Sequence, residues 1–263
     1  DIPAMAPTEV PFVHTVVECA KLAFADREAW YGDPDFVDVP LAELLSDAYA
    51  DERRRLIGDQ ASLALRPGAP GGHTPRLYAG PSGGTGAGGG EPTMQRMPDL
   101  GVRPSAAGDT CHVDAIDRWG NMVAATPSGG WLSASPVIPE LGCGLTTRGQ
   151  MFWLQEGLPN SLAPNKRPRT TLTPTLVLKN GEPYMVFGTP GGDQQDQWSL
   201  QMFLRHVDHG LNLQAAIDCP AFHTEHMPSS FWPREARPGV VVLEGRFDQP
   251  TREALSARGH RVQ

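Results

Sequence analysis

The segment from Pro67 to Asp109 carries Gly83-Gly84, Gly86 and Gly88-Gly89-Gly90 and has few large apolar residues. Such a stretch cannot bury a core, so the parts on either side of it must find their hydrophobic contacts elsewhere. A connection this long inside a compact domain is either functional or a flexible linker, and composition by itself favours the linker. Upstream, Phe12, Val13, Val16, Val17, Ala20, Ala23 and Phe24 recur at helical spacing. They predict an amphipathic helix over residues 10–30, ended by Tyr31-Gly32-Asp33-Pro34. Leu41, Leu44, Leu45 and Tyr49, then Arg55-Leu56-Ile57, predict one or two more helices before Gly58.

Downstream the pattern changes to strands. Residues 111–117 turn at Arg118-Trp119-Gly120-Asn121 into 122–126, a hairpin. A second hairpin pairs 175–179 with 184–187 across Asn180-Gly181, the strongest turn chemistry in the chain. A helix is expected over 194–208 with Trp198, Met202, Leu204 and Val207 on its apolar side. Asn212 can cap a short helix through Ile217, residues 240–243 read as a strand, and 251–257 read as a helix ended by Gly259. Pattern alone gives a mixed α and β fold.

Thr110 stands where the glycine-rich segment gives way to strand, with His112, Asp114 and Ile116 alternating to one side and Cys111, Val113 and Ala115 to the other. A hydroxyl is a weak nucleophile unless a base adjoins it. Were the Asp109-Thr110 bond cut, Thr110 would supply its own base, a free α-amino group with an ordinary pKa of about 8. On pattern alone, Thr110 equally opens an ordinary hairpin, and cleavage one bond later would expose Cys111, also a competent nucleophile. Acyl transfer also needs an anion stabiliser, and Gly191-Gly192 is the best candidate. Two glycines let backbone N–H groups approach a ligand, and the helix that follows adds its dipole. Read locally, the pair is also a plain strand-to-helix turn.

At 263 residues, 40% hydrophobic and 20% charged, the chain is long enough to bury a sizeable core in one large domain or two small ones. No apolar run approaches the roughly 18 residues of a membrane span. A chain opening at Asp1 is expected to have lost its true beginning, so the compartment stays open, with a lean to the cytoplasm and a secreted or periplasmic placement as the alternative. The net charge of -8 argues against nucleic acid as a main partner, and Glu52-Arg53-Arg54-Arg55 reads as a solvated helix face. Cys19, Cys111, Cys143 and Cys219 form no CxxC pair. His206 and His209, like His223 and His226, have i,i+3 spacing without a surrounding motif, so no metal is expected.

Thr110-Cys111-His112, Asp117-Arg118-Trp119-Gly120-Asn121, Pro164-Asn165-Lys166-Arg167-Pro168-Arg169-Thr170-Thr171-Leu172-Thr173-Pro174 and Gly188-Thr189-Pro190-Gly191-Gly192 follow one another in an order and spacing that resembles the γ-glutamyltranspeptidase family. Lys21-Leu22-Ala23-Phe24-Ala25-Asp26-Arg27 and Gly32-Asp33-Pro34-Asp35-Phe36 resemble the end of that family's large subunit. The resemblance implies an α+β fold, the four-layer αββα sandwich of the N-terminal-nucleophile hydrolases. It divides the chain into a helical end of the large subunit (1–66), a linker before the cleavage site (67–109) and a small subunit (110–263). It implies self-cleavage between Asp109 and Thr110, with Thr110 as nucleophile and Gly191 and Gly192 as oxyanion hole. Ser128 stands where the family commonly has a threonine bonded to the nucleophile; otherwise it is a turn serine. Thr170 and Thr171 match paired hydroxyls that bind a substrate α-carboxylate, with Lys166 and Arg167 near.

Two positions depart from the family. Around Arg148-Gly149-Gln150-Met151-Phe152, where the family reads the substrate's α-amino group, this chain has no carboxylate, and Gly130 replaces a common asparagine. The expected partners are a small γ-glutamyl or other acyl amide and the two pieces of one precursor, with no cofactor; self-association is compatible with the sequence. The alternatives are a glutaryl or cephalosporin-type acylase of the same fold, and an uncleaved, inactive binding relative.

Overall fold

The computed structural model describes residues 1–79, 110–128, 137–144, 146–231 and 234–263. Most of the expected linker, with Asp109, and also Gly130 lie outside the described residues.

Helix α1 spans Val10–Trp30, as its apolar spacing requires. It is not amphipathic, however: Glu18, Lys21, Asp26, Arg27 and Glu28 are buried along with Phe12, Val13, Val16 and Val17. The polar side can go inside because its charges are compensated. Glu18 pairs with Lys21 and with Arg66 at 3.1 Å, and Asp26 accepts from the Tyr49 hydroxyl at 2.9 Å and the Gly68 N–H at 2.6 Å. Two short helices follow, α2 (Leu41–Leu44) and α3 (Asp47–Arg54), the latter capped by Ser46 accepting from the Tyr49 N–H. Arg53, expected on a solvated face, instead turns inward and donates to the carbonyls of Leu22 and Arg66, since a helix this short against α1 has one flank covered.

Strands β1 (Val113–Ile116) and β2 (Met122–Ala125) form the first hairpin. Asp117 closes it by accepting from the N–H groups of Trp119 and Asn121 and from the Asn121 side chain. Short strands β3 (Val137–Ile138) and β4 (Cys143–Gly144) pair next. β5 (Thr175–Lys179) and β6 (Glu182–Phe187) make the second hairpin, with both turn residues at positive φ, Asn180 at 54° and Gly181 at 84°. That is the geometry a two-residue Asn-Gly turn selects. The two hairpins lie side by side, β6 against both β1 and β2.

Helices α4 (Gln195–Val207) and α5 (Leu213–Asp218) lead to a three-stranded sheet. There β8 (Val240–Leu243) is flanked by antiparallel β7 (Phe222–Thr224) and parallel β9 (Arg261–Val262), with α6 (Gln249–Ala257) between β8 and β9. The apolar face expected of α4 is not the buried one: Val207 is half exposed, while Gln197, Gln201 and Arg205 are buried. The reason lies in the free edge of β7. The Gln197 amide accepts from the Thr224 N–H at 2.8 Å and donates to its carbonyl at 3.1 Å, and Gln201 does the same to Phe222 at 3.2 and 2.6 Å. Side chains four apart on a helix are about 6 Å apart along its axis, close to the rise of two strand residues, so two glutamines stand in for a missing strand.

The core joins α1 to the end of the chain: Phe12, Val13, Val16 and Val17 pack with Phe222, Val241, Leu243, Phe247 and Leu255. Undocking α1 would expose four large side chains, about 1.5–3 kcal/mol each or roughly 6–12 kcal/mol as an upper estimate. A break in the intervening segment would therefore leave α1 bound. Among the described residues no helix is long and apolar enough to cross a membrane.

Candidate active site

Thr110 lies three residues ahead of β1 rather than at its first position. The ladder nevertheless reaches it in irregular form, because the Cys111 N–H donates to the Pro127 carbonyl at 3.2 Å. That bond sets residues 110 and 128 opposite each other across the end of the hairpin, and the Thr110 Oγ1 and Ser128 Oγ hydroxyls are hydrogen-bonded. Ser128 also accepts from Arg148 Nη2 at 2.6 Å. Arg148 is buried at the start of a 3-10 turn over Arg148–Met151, with its guanidinium over the Phe231 ring. Three of the residues singled out by sequence thus make one chain, Thr110 to Ser128 to Arg148.

His112 ties this hairpin to the glycine loop, and sequence reasoning assigned it no role. Its ring bonds Thr126 Oγ1 at 2.7 Å through Nδ1 and Asp114 through Nε2. The His112 and Asp114 side chains share a side, as their i,i+2 spacing required, and that alternation was the signal for the pair. The ring lies flat on Gly188, where an added Cβ would sit 2.3 Å from Cε1. Gly188 is therefore glycine for want of space, three residues before the expected oxyanion pair.

Gly191 has φ 141° and Gly192 φ 57°, values that disfavour any side chain, and a Cβ on Gly191 would lie 2.6 Å from Trp198. The pair begins a 3-10 turn, Gly192–Gln194, that runs into α4, so these backbone amides sit at the positive end of a helical segment. Gln195, fully buried, holds the loop shut: with its amide nitrogen donating to the Thr189 carbonyl at 3.0 Å, its oxygen accepts from the Gly192 N–H at 3.2 Å. Asp193, next in the chain, is anchored by Arg27 at 2.8 Å and by the Ser230 N–H and hydroxyl, each at 2.7 Å. Burial pushes the Asp193 carboxyl upward, but Arg27 and Ser230 outweigh it and hold the group below the ordinary carboxylate range.

Thr170 and Thr171 point differently. Thr170 is exposed and its hydroxyl accepts from the Leu172 N–H at 3.1 Å, whereas Thr171 is 1% exposed and its Oγ1 has no partner among the described residues. Lys166 and Arg167 are spent elsewhere. Lys166 donates to the Pro159 carbonyl at 2.7 Å, and Arg167 grips Asp33 from its Nε at 3.0 Å and its backbone N–H at 2.8 Å. Hydrogen bonds from Arg167 keep the Asp33 carboxyl well below its usual range. Arg167 thus fastens the 164–168 loop to Asp33, just past α1, and Lys166 closes onto the loop seven residues before it. Among the described residues His14, Glu18 and His260 converge within 4.8 Å, a set that could hold a metal. Here His14 Nε2 donates to the Gly58 carbonyl at 2.8 Å, its Nδ1 meets His260 Nε2 at 2.8 Å, and Glu18 is already neutralised by Lys21 and Arg66. A divalent ion would add charge beside two cations, so the cluster reads as structural.

The sequence profile of the family described as Gamma-glutamyltranspeptidase matches residues 1–263. A glutathione hydrolase proenzyme of Pseudomonas sp. (strain A14) is 31% identical over 232 residues, 83% of this chain and 35% of its own. Two solved structures are similar over 97% of the chain. LmbA2991HD has a TM-score of 0.80, 54% identity and 42% of its own chain covered. Cephalosporin acylase from Bacillus halodurans has a TM-score of 0.71, 29% identity and 38% covered. The chain thus spans about two fifths of the length of these three proteins. With a match over its whole length, and with the expected residues arranged as described, the chain belongs to the gamma-glutamyltranspeptidase family.

Proposed function

We propose that the protein is a self-cleaving acyl-transfer enzyme on the four-layer αββα sandwich, with residues 1–66 ending a large subunit, 67–109 linking, and 110–263 forming a small subunit. Thr110 Oγ1 attacks the Asp109 carbonyl carbon. The new C–O bond replaces the C–N bond, the nitrogen takes up the proton, and water hydrolyses the resulting ester. The freed Thr110 amine then removes the proton from its own hydroxyl, which attacks a γ-glutamyl or related amide. Gly191 and Gly192 hold the oxyanion, the Gly192 N–H exchanging its 3.2 Å bond to Gln195 for the anion, the leaving amine departs protonated, and water or a second amine releases the acyl group. The buried Thr171 hydroxyl, without a partner among the described residues, supports a role with Thr170 in holding the acyl chain's carboxylate, a role to which Gly130 is also assigned from its sequence position.

The single observation that carries this reading is the bond between the Thr110 and Ser128 hydroxyls, with Arg148 behind Ser128. It favours Thr110 over Cys111, whose side chain is exposed. A Thr110→Ala protein is expected to remain one chain and to leave γ-glutamyl anilide untouched; cleavage and turnover by that variant would overturn the proposal.

A second reading, an acylase acting on glutaryl amides, is favoured by Arg148. A guanidinium next to Ser128, with no carboxylate in residues 148–152, repels an α-ammonium and tolerates an acyl chain without one. Comparing γ-glutamyl and glutaryl anilides, which differ by that amino group, separates the two.

A further inference from the structure

The acyl-transfer site is built from segments distant in sequence, and two consecutive residues near the end of α1 reach both. Arg27 Nη1 lies 2.8 Å from Asp193 Oδ1, and Asp193 directly follows Gly192. Glu28 Oε1 lies 2.8 Å from Arg169 Nη2, and Arg169 directly precedes Thr170. Ser230 joins the two arms, donating to Asp193 through its N–H and its hydroxyl and accepting from Arg169 at 3.0 Å. Arg27 and Glu28 also meet at 3.3 Å. All five residues are at least nine-tenths buried, so solvent cannot take over a bond that is lost. Two arginines against two carboxylates leave the group neutral, and removing one member strands another.

We infer that Arg27 and Glu28 are positioning residues for the reaction proposed above: Arg27 sets the Gly191-Gly192 loop through Asp193, and Glu28 sets Thr170-Thr171 through Arg169. Neither need touch substrate. Their effects should differ, because the oxyanion exists only in the transition state whereas a hydroxyl on the acyl chain's carboxylate acts on the bound substrate too. Displacing the loop by about 1 Å is enough to cost on the order of 100-fold in rate.

The inference rests on the proposed function, and the test separates them. In the whole protein, Arg27→Met, Arg27→Lys, Asp193→Asn, the Arg27→Met/Asp193→Asn double variant, Glu28→Gln and Thr110→Ala are compared on γ-glutamyl p-nitroanilide by stopped-flow burst and steady-state kinetics. Thermal melts establish folding. Arg27→Met is expected to slow acylation and lower kcat by about 30- to 100-fold with KM within about threefold. Arg27→Lys should recover part of the loss, and the double variant should be no worse than about threefold below Arg27→Met alone, as for groups acting as a unit. Glu28→Gln should raise KM by about tenfold with kcat nearly unchanged. A folded Arg27→Met with kcat within threefold of the parent overturns the inference, as does an equal fall in all variants with no split between kcat and KM. Should Arg27→Met not fold, Asp193→Asn and Glu28→Gln are judged by the same thresholds; failure of all three to fold makes the group a stability element only and also overturns it. A Thr110→Ala protein that retains the burst sinks the function, whereas a Thr110-dependent burst unaffected by Arg27→Met sinks only the positioning role.

Discussion

Replacing Gly188 by alanine tests how the nucleophile hairpin is fixed to the glycine loop. The new Cβ would lie 2.3 Å from His112 Cε1 and 2.5 Å from Nδ1, far inside contact distance. Gly188 is not among the residues at positive φ, so the backbone itself accepts alanine and the cost is steric. The ring must move by about 1 Å, but both its nitrogens are held, by Thr126 at 2.7 Å and by Asp114. Overpacking costs about 1–3 kcal/mol. Swinging the ring out instead gives up a neutral hydrogen bond of about 1 kcal/mol and a stronger one to a carboxylate of about 1.5–3 kcal/mol. Alanine returns about 0.5–1 kcal/mol by restricting the unfolded chain. The cheaper route sets the cost, so the net expectation is a loss of up to about 2.5 kcal/mol, read from urea unfolding of Gly188→Ala against the parent. In a His112→Ala background the obstacle is gone, so the same substitution should be neutral or slightly stabilising. An equal loss in both backgrounds would refute the steric reasoning.

Three further outcomes follow from the same geometry. Ser128→Ala should lower kcat by about 10- to 100-fold, since it removes a hydrogen-bond partner of the Thr110 hydroxyl, whereas Ser128→Thr should retain most activity; identical kinetics for Ser128→Ala and the parent would exclude the contact from catalysis. Thr171→Val keeps the shape and deletes a buried hydroxyl that has no partner among the described residues, so it should leave stability unchanged or raised while KM for a carboxylate-bearing substrate rises; a drop in stability with unchanged KM would contradict the assignment. Burial, with Lys21 next, pushes His226 down to about 4 and His260 to about 3. The unfolded chain takes up protons below about pH 6.5 and the folded one does not, so stability present above pH 6.5 should fall as pH drops. The two rings account for about 2–3 kcal/mol between pH 7 and 5 after allowance for solvent, and a His260→Gln protein with an unchanged pH slope of the urea midpoint would refute this.

Much of the fold was legible in local chemistry. The Asn180-Gly181 turn, the Asn212 cap and the extent of α1 follow from rules that act within a few residues, and the structure has all three. What escaped was set by distant partners. The polar flank of α1 reads as solvent-facing until Asp193, Arg169 and Arg66 arrive to neutralise it, and the glutamines of α4 read as surface until β7 presents a bare edge. Strand β7, only three residues long, carries no periodicity to detect. The site divides in the same way. Thr110 and Ser128 meet because a hairpin brings them opposite, which sequence foresees, but Arg167 turns away because Asp33, distant in sequence, lies against it, and Lys166 because the loop seven residues back presents the Pro159 carbonyl. His112 could have been paired with Asp114 from spacing, though its seat on Gly188 could not.

The most direct measurement is the identity of the first residue of the smaller fragment, read by mass spectrometry after the purified protein is incubated and separated on a denaturing gel. The account predicts two bands, the smaller starting at Thr110, and a single band for Thr110→Ala with no anilide hydrolysis. A fully active protein in which the Asp109-Thr110 bond is intact would contradict it.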